Sequence, residues 1–226
     1  MPTSNSDFHI GHRERLRQKF LDGKIADYEI LELLLAYAIP RRDVRPIARG
    51  LLKRFGNVYN VINAPIDELT SYPGMGRSSA IMLGLVKNIM LLAFKNKIMD
   101  RPVFYDAQLL NGYCMTMMSG KSVEEFHVLY LDNEYRLISD EMHSIGTINE
   151  APVYGREIAK RALALNSRHV VLVHNHPVSD NTFSVADTIA THELQQFLKM
   201  LDIELFDHIL VANGNVYSAK NMSLLH

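Results

Sequence analysis

The chain holds one cysteine, Cys114, in 226 residues. A lone thiol cannot build an intramolecular disulfide framework. It also cannot supply the several thiolates that a structural zinc site ordinarily uses. No apolar run approaches the roughly 18 residues of a membrane-spanning helix. The opening stretch, MPTSNSDFHIGHRERLR, has no apolar core of the secretory-signal kind, so no signal is expected. Repeated units and low-complexity tracts are missing too. These absences predict a cytoplasmic protein with no membrane partner. Disorder is excluded from the other side, because 47% of the residues are hydrophobic, enough to fill cores. The length suits one large domain or two small ones.

Net charge is small, −1, but it is unevenly shared. Residues 1–100 carry 15 Lys and Arg against 10 Asp and Glu, a balance of +5. Residues 101–226 carry 9 against 15, a balance of −6. The split suggests two domains, the first mildly basic and able to face nucleic acid. Two ordinary solvated surfaces would give the same numbers.

The first half reads as helices. Arg13–Phe20 is a basic segment, and Asp27–Ile39 is rich in Leu, Glu and Ala. Pro40 and the charged turn Arg41-Arg42-Asp43 stop it. Val44–Phe55 is a further helical pattern, closed by Gly56. Ile66–Ser71 is short, and YPGMGRSSAIMLGLVKNIMLLAF is a tight turn running into a long apolar helix. Lys97–Tyr105, with Arg101-Pro102 inside it, reads as a linker. Beyond it the periods are mixed. Asp106 caps a predicted helix through Met118, with Cys114 on its apolar face. Glu125–Leu131 and Arg136–Ile145 read as partner strands about the turn Asp132-Asn133-Glu134. Arg156–Asn166 reads as a helix, and His169–Val173 as a buried strand. Ser184–Leu201 reads as a helix with Ile189, Ala190, Leu194, Phe197, Leu198 and Leu201 inward. Asn213-Gly214 marks a hairpin between His208–Ala212 and Val216–Ser218.

The chemistry concentrates in HNHPVSDNTFSVAD, residues 174–187. If the strand before it continues, period 2 sends the rings of His174 and His176 to one side. Asp187, in the first turn of the next helix, offers a carboxylate. Two nitrogens and one oxygen with a position left for water is the pattern of a catalytic zinc site. Ser184-Val185-Ala186-Asp187 is equally a capping box, so Asp187 could instead serve a backbone N–H. Other His-x-His plans fit less well. A metallo-β-lactamase pattern needs aspartate where Val178 stands. A cupin needs a glutamate before Glu193. A TIM barrel needs far more than the 50 residues after His176. A zinc hydrolase also needs a base, for which Glu125 at the start of its strand is the candidate, with Glu124 the weaker one. Ser184 could steady an oxyanion through its hydroxyl, or simply cap the helix.

The spacing H-x-H, seven residues, S, two residues, D resembles the JAMM motif of MPN+ metalloproteases. The surrounding text resembles the RadC family over essentially the whole chain. GHRERLR at 11–17, DYEILELLL at 27–35, AIPRRDV at 38–44 and PGMG at 73–76 match it. So do GT at 146–147, REI at 156–158, HNHP at 174–177, S..D at 184–187 and DHI at 207–209. The resemblance implies an all-α helix-hairpin-helix domain over 1–98. It implies a JAMM/MPN-type α/β domain over 104–226, a mixed sheet with flanking helices related to cytidine deaminases. It implies Zn2+ on His174, His176 and Asp187, Glu125 as general acid/base, and Ser184 stabilising the tetrahedral intermediate. The implied reaction is hydrolysis of a peptide or isopeptide bond in an unspecified protein substrate. Where the family usually reads HNHPSGDPTPS, this chain has Val178 and Ser179 for Ser-Gly, and Asn181 and Phe183 for two prolines. Gly155 replaces the usual proline before REI. The ligands are kept, while the loop should be altered or loosened.

The segment LTSYPGMGRSSAIML, 69–83, resembles a helix-hairpin-helix. Gly74 and Gly76 would let the backbone approach a phosphate at the next helix start, helped by Arg77. A plain αα-hairpin would use the same glycines for packing. The alternative to a hydrolase is therefore a DNA-associated protein, linked to repair or recombination, whose zinc domain is structural or regulatory. A third possibility is an inactive MPN scaffold.

Overall fold

The structure, a computed structural model, describes residues 5–145, 151–177 and 181–225. Gly146 and Thr147 of the GT motif, and Val178 and Ser179 of the altered loop, lie outside those residues. Contacts divide the chain into two compact units, Met1–Asn88 and Ile89–His226.

The first unit is helical: α1 (Asn5–Leu21), α2 (Asp27–Ala38), α3 (Arg45–Phe55), α4 (Val58–Asn63), α5 (Ile66–Thr70) and the start of α6 (Arg77–Asp100). Leu31 and Leu35 of α2, Ile47 and Leu51 of α3, Val61, Leu69, Ala80 and Leu83 make its core. Gly56 ends α3 with φ +89 and donates its N–H to the Leu52 carbonyl, as a C-terminal glycine should. The sequence did not reveal α4. Asn57 starts it by accepting from the Asn60 N–H. Arg13 donates to the carbonyls of Ile39 and Arg42, tying the charged turn to α1.

Two expectations change at α6. The helix runs to Asp100, so Lys97–Asp100 is not linker, and Val103–Tyr105 forms a 3-10 turn. Its most apolar 18 residues average a hydropathy of 1.4, long and apolar enough by composition to cross a membrane. Lys87 and Asn88 interrupt the run, which is why a search for uninterrupted apolar residues passes over it. Ala80 and Leu83 lie in the first core and Ile98 in the second, with Leu91 and Phe94 packed against the latter, so at least five of its apolar positions are used for packing.

The second unit is a five-stranded sheet with helices on both faces. In chain order it contains α7 (Ala107–Met118), β1 (Glu125–Leu131), β2 (Leu137–Ile145), α8 (Ala151–Ala164), β3 (His169–His176), α9 (Val185–Lys199), β4 (Glu204–Ala212) and β5 (Asn215–Ser218). The strand order is β2-β1-β3-β4-β5, with only β3 and β4 parallel. Strand alternation sorts the side chains. Leu129, Leu131, Val171 and Val173 pack with Leu110, Tyr113, Cys114 and Met117 of α7. Phe126, Val128, Tyr130, Val170 and Leu172 pack with Ile158 and Ala162 of α8 and with Leu194 and Leu198 of α9. Asp106 caps α7 by accepting from the Leu109 N–H, as the sequence suggested. Asn213 and Gly214 adopt positive φ at the β4–β5 turn, which that dipeptide tolerates.

Helix α9 is rotated from its predicted phase. Asp187, Thr191, Leu194 and Leu198 face inward, while Ile189 is 53% exposed. Apolar periodicity alone cannot foresee this, because two of the inward positions are polar.

Candidate metal centre

β3 extends past Val173 through both histidines. Period 2 then puts His174 and His176 on the face that carries Val170 and Leu172, under α8 and α9. Antiparallel pairing sets Phe126 of β1 opposite His174. Two residues before Phe126, just ahead of β1, the same parity brings Glu124 to this face.

The side chains of Glu124, His174, His176 and Asp187 converge, each offering one ligand atom within 4.8 Å of all the others. His174 Nε2 lies 3.2 Å from His176 Nε2. Asp187 Oδ2 lies 3.6 Å from His174 Nε2 and 3.7 Å from His176 Nε2. A tetrahedral zinc with bonds of about 2.0–2.1 Å separates its ligands by about 3.3–3.4 Å. The triangle on this face has nearly that spacing, so these three residues fit such an ion. His174 and Asp187 are buried, and His176 is partly open.

Asp187 is both a helix cap and a member of the cluster. Its Oδ2 accepts from the Ser184 N–H at 2.8 Å and from the Ser184 hydroxyl at 2.6 Å. The Asp187 N–H donates back to Ser184 Oγ at 3.0 Å. Burial alone would raise the Asp187 pKa. Its interaction with His174 and the two bonds from Ser184 outweigh burial and hold the carboxylate well below its usual range. Ser184 has one proton, and the capping box directs it at Asp187. The expected oxyanion role for Ser184 has no free donor in this arrangement.

Glu125 is not brought to the cluster. One residue of offset puts it on the opposite face. There its carboxylate meets Lys121 Nζ at 2.9 Å and His127 Nε2 at 3.2 Å. His127 Nδ1 reaches Asp140 Oδ1 at 3.0 Å, and Tyr113 donates to Asp140 Oδ2. Burial would raise Glu125, but Lys121 and His127 outweigh it and lower its pKa. Glu124 is the carboxylate that faces the histidines, while Glu125, the acid/base candidate from sequence, does not. Knowing the β1–β3 register would have given the answer. The sequence shows two adjacent glutamates and no register.

Asn175, between the two histidines, points to the Glu125 face and is buried. Its Oδ1 accepts from the Glu125 N–H at 2.9 Å, and its Nδ2 donates to the Val123 carbonyl at 3.0 Å. Both neighbours of Glu124 are thereby fixed.

Sequence reasoning gave no role to Thr191 or to His208 of the DHI motif. His208 Nε2 lies 2.8 Å from His174 Nδ1, and His208 Nδ1 lies 2.6 Å from Thr191 Oγ1. Burial, helped by the adjoining His174, pushes the His208 pKa well down. Phe183 closes this corner, its ring 5.0 Å from that of His208 and 5.8 Å from that of His174. Asn181 accepts from Asn213 Nδ2 at 2.8 Å. The two residues that replace prolines thus each make a contact within the described part of the loop.

Gly74, Gly76 and Arg77 belong to the first unit, at the start of α6. Gly74 has φ +91, and a Cβ there would come within 2.9 Å of Ile47. It therefore has a packing reason of its own. Gly76 is open, with no heavy atom within 4 Å of where a Cβ would sit. Its N–H donates to Ser79 Oγ at 3.0 Å.

The sequence profile of a family described as the RadC-like JAB domain matches residues 104–224, more than half of the chain. The chain belongs to this family, and its sheet with flanking helices is that domain's architecture.

Proposed function

We propose that the chain is a zinc-dependent hydrolase of the JAMM type that cleaves a peptide or isopeptide bond in a protein substrate. The observation that carries this reading is the convergence of His174, His176 and Asp187 at ligand-to-ligand spacing, with Glu124 beside them. A bound zinc would supply the Lewis acidity that activates water at neutral pH. His174, His176 and Asp187 would hold the ion, and Ser184 would keep Asp187 oriented through the capping box. Glu124 takes the proton of the attacking water and delivers it to the departing amine nitrogen as the C–N bond breaks. The test is Glu124→Gln in a peptidase assay. It should keep the metal and lose about 10²–10⁴-fold in turnover. Unchanged turnover would remove Glu124 from the reaction.

A second reading concerns the first unit. The open space beside Gly76, whose own N–H is taken by Ser79 Oγ, and Arg77 at the start of α6 leave room for a sequence-independent contact to a nucleic-acid phosphate. DNA association, linked to repair or recombination, would then be a recruiting function, or the main one with the zinc domain structural or regulatory. Gly74→Asp with Gly76→Asp should weaken duplex binding and flatten its salt dependence. Binding that ignores both substitutions in a folded protein refutes the contact.

A further inference from the structure

Behind the cluster, every proton in one chain of hydrogen bonds can be placed. Thr191 Oγ1 lies 2.5 Å from the Asp187 carbonyl oxygen. A carbonyl only accepts, so the Thr191 hydroxyl proton goes there. Thr191 Oγ1 is also 2.6 Å from His208 Nδ1, and its only proton is already used. His208 Nδ1 must therefore be the donor. A neutral imidazole with its proton on Nδ1 presents a lone pair at Nε2. His208 Nε2 is 2.8 Å from His174 Nδ1, so His174 Nδ1 must donate. The lone pair of His174 Nε2 then has one direction left, toward His176 Nε2 and Asp187 Oδ2.

We infer that Thr191 and His208 are positioning residues that fix His174 in the tautomer with Nδ1 protonated and Nε2 bare, aimed into the metal cluster. The inference rests on the hydrolase reading for its purpose, though not for its geometry. Metal-binding histidines ordinarily donate their second nitrogen to a carboxylate, a carbonyl or water. Here a second histidine takes that place, and a threonine in the same helix as Asp187 fixes its polarity. Asp187 and His174 are thereby linked twice, once at the cluster and once behind it through Thr191 and His208. All three relay residues are buried: His174 is 0%, and Thr191 and His208 are each 2%, exposed. Water has little room to substitute for any member. Phe126 also flanks the relay, its ring 6.4 Å from that of His208.

The experiment uses the full chain with 15N-labelled histidine. Long-range 1H–15N spectra of the metal-free wild type should show His174 and His208 each protonated on Nδ1 alone. Thr191→Val keeps the volume and removes the oxygen that receives the His208 N–H. It should mix the His174 tautomers and weaken zinc binding, read by chelator competition, by about 10–100-fold. Thr191→Ser should restore both readouts, with the amide spectrum as the folding control. Wild-type His174 protonated on Nε2 overturns the inference, and so does a folded Thr191→Val that binds zinc as the wild type does. A wild type with the stated tautomers that binds no zinc supports the relay and defeats the hydrolase reading instead.

Discussion

Two clusters of titratable side chains lie back to back on the same strands, and they are built differently. On the α7 face, Lys121, Glu125, His127, Asp140 and Tyr113 form a closed chain in which each carboxylate meets a donor. On the face of α8 and α9, two imidazole nitrogens and a carboxylate oxygen converge across 3.2–3.7 Å. A network whose lone pairs are all matched serves stability. Two imidazole nitrogens and a carboxylate oxygen at ligand spacing suit a shared cation. Glu124 and Glu125 are adjacent in sequence and differ in this respect only because a strand alternates.

The comparison can be broken from either side. The largest effect should come from Asp187→Ala. It removes a ligand, the acceptor of the capping box and a neighbour of both histidines at once. Zinc retention should fall to background in elemental analysis, while substitutions on the α7 face leave it intact. Next comes the adjacent pair. Glu125→Gln should leave turnover within about three-fold of wild type, against the loss of two to four orders of magnitude expected for Glu124→Gln. Equal losses in a peptidase assay would mean that face does not decide role.

Tyr113→Phe tests the matched network. It leaves Asp140, already partly buried, without one donor, and should cost about 1–3 kcal/mol in denaturant unfolding with zinc affinity unchanged. The smallest effect is a pH dependence. Burial would raise Asp140, but His127 and Tyr113 hold its folded pKa below the ordinary 3.8. Its contribution is therefore present above the ordinary carboxylate range and is lost as pH falls through the folded value. His143 works in the same direction. Burial lowers it from 6.5, so the unfolded chain binds a proton first as pH falls through that value. Thermal unfolding should show stability declining from neutral pH toward mild acid, then further below the carboxylate range. A flat profile over both windows would contradict these assignments.

Much of the fold was legible in the sequence because it depends on short-range rules. Asp106 and Gly56 act at helix ends, and Asn213-Gly214 at a hairpin, through their own backbone preferences. The histidine pair and Asp187 were legible for a similar reason, since a strand end and the following helix cap are close in the chain. What stayed hidden depends on pairing between distant segments. The parity of Glu124 follows from the β1–β3 register, which pairs Phe126 with His174 far along the chain. His208 reaches His174 only because β4 lies parallel beside β3. Thr191 faces inward against the apolar phase of α9, since its hydroxyl has a partner there. The family's prolines made Phe183 look like a loss, and its contacts with His174 and His208 are visible only once the sheet is assembled.

The most direct measurement is zinc stoichiometry on the purified full chain, beside His176→Ala and Asp187→Ala, after zinc is offered and excess removed. The account predicts about one zinc per chain in the wild type and none in either variant. A wild type that keeps no zinc, or variants that keep it as the wild type does, would contradict a metal centre on this face.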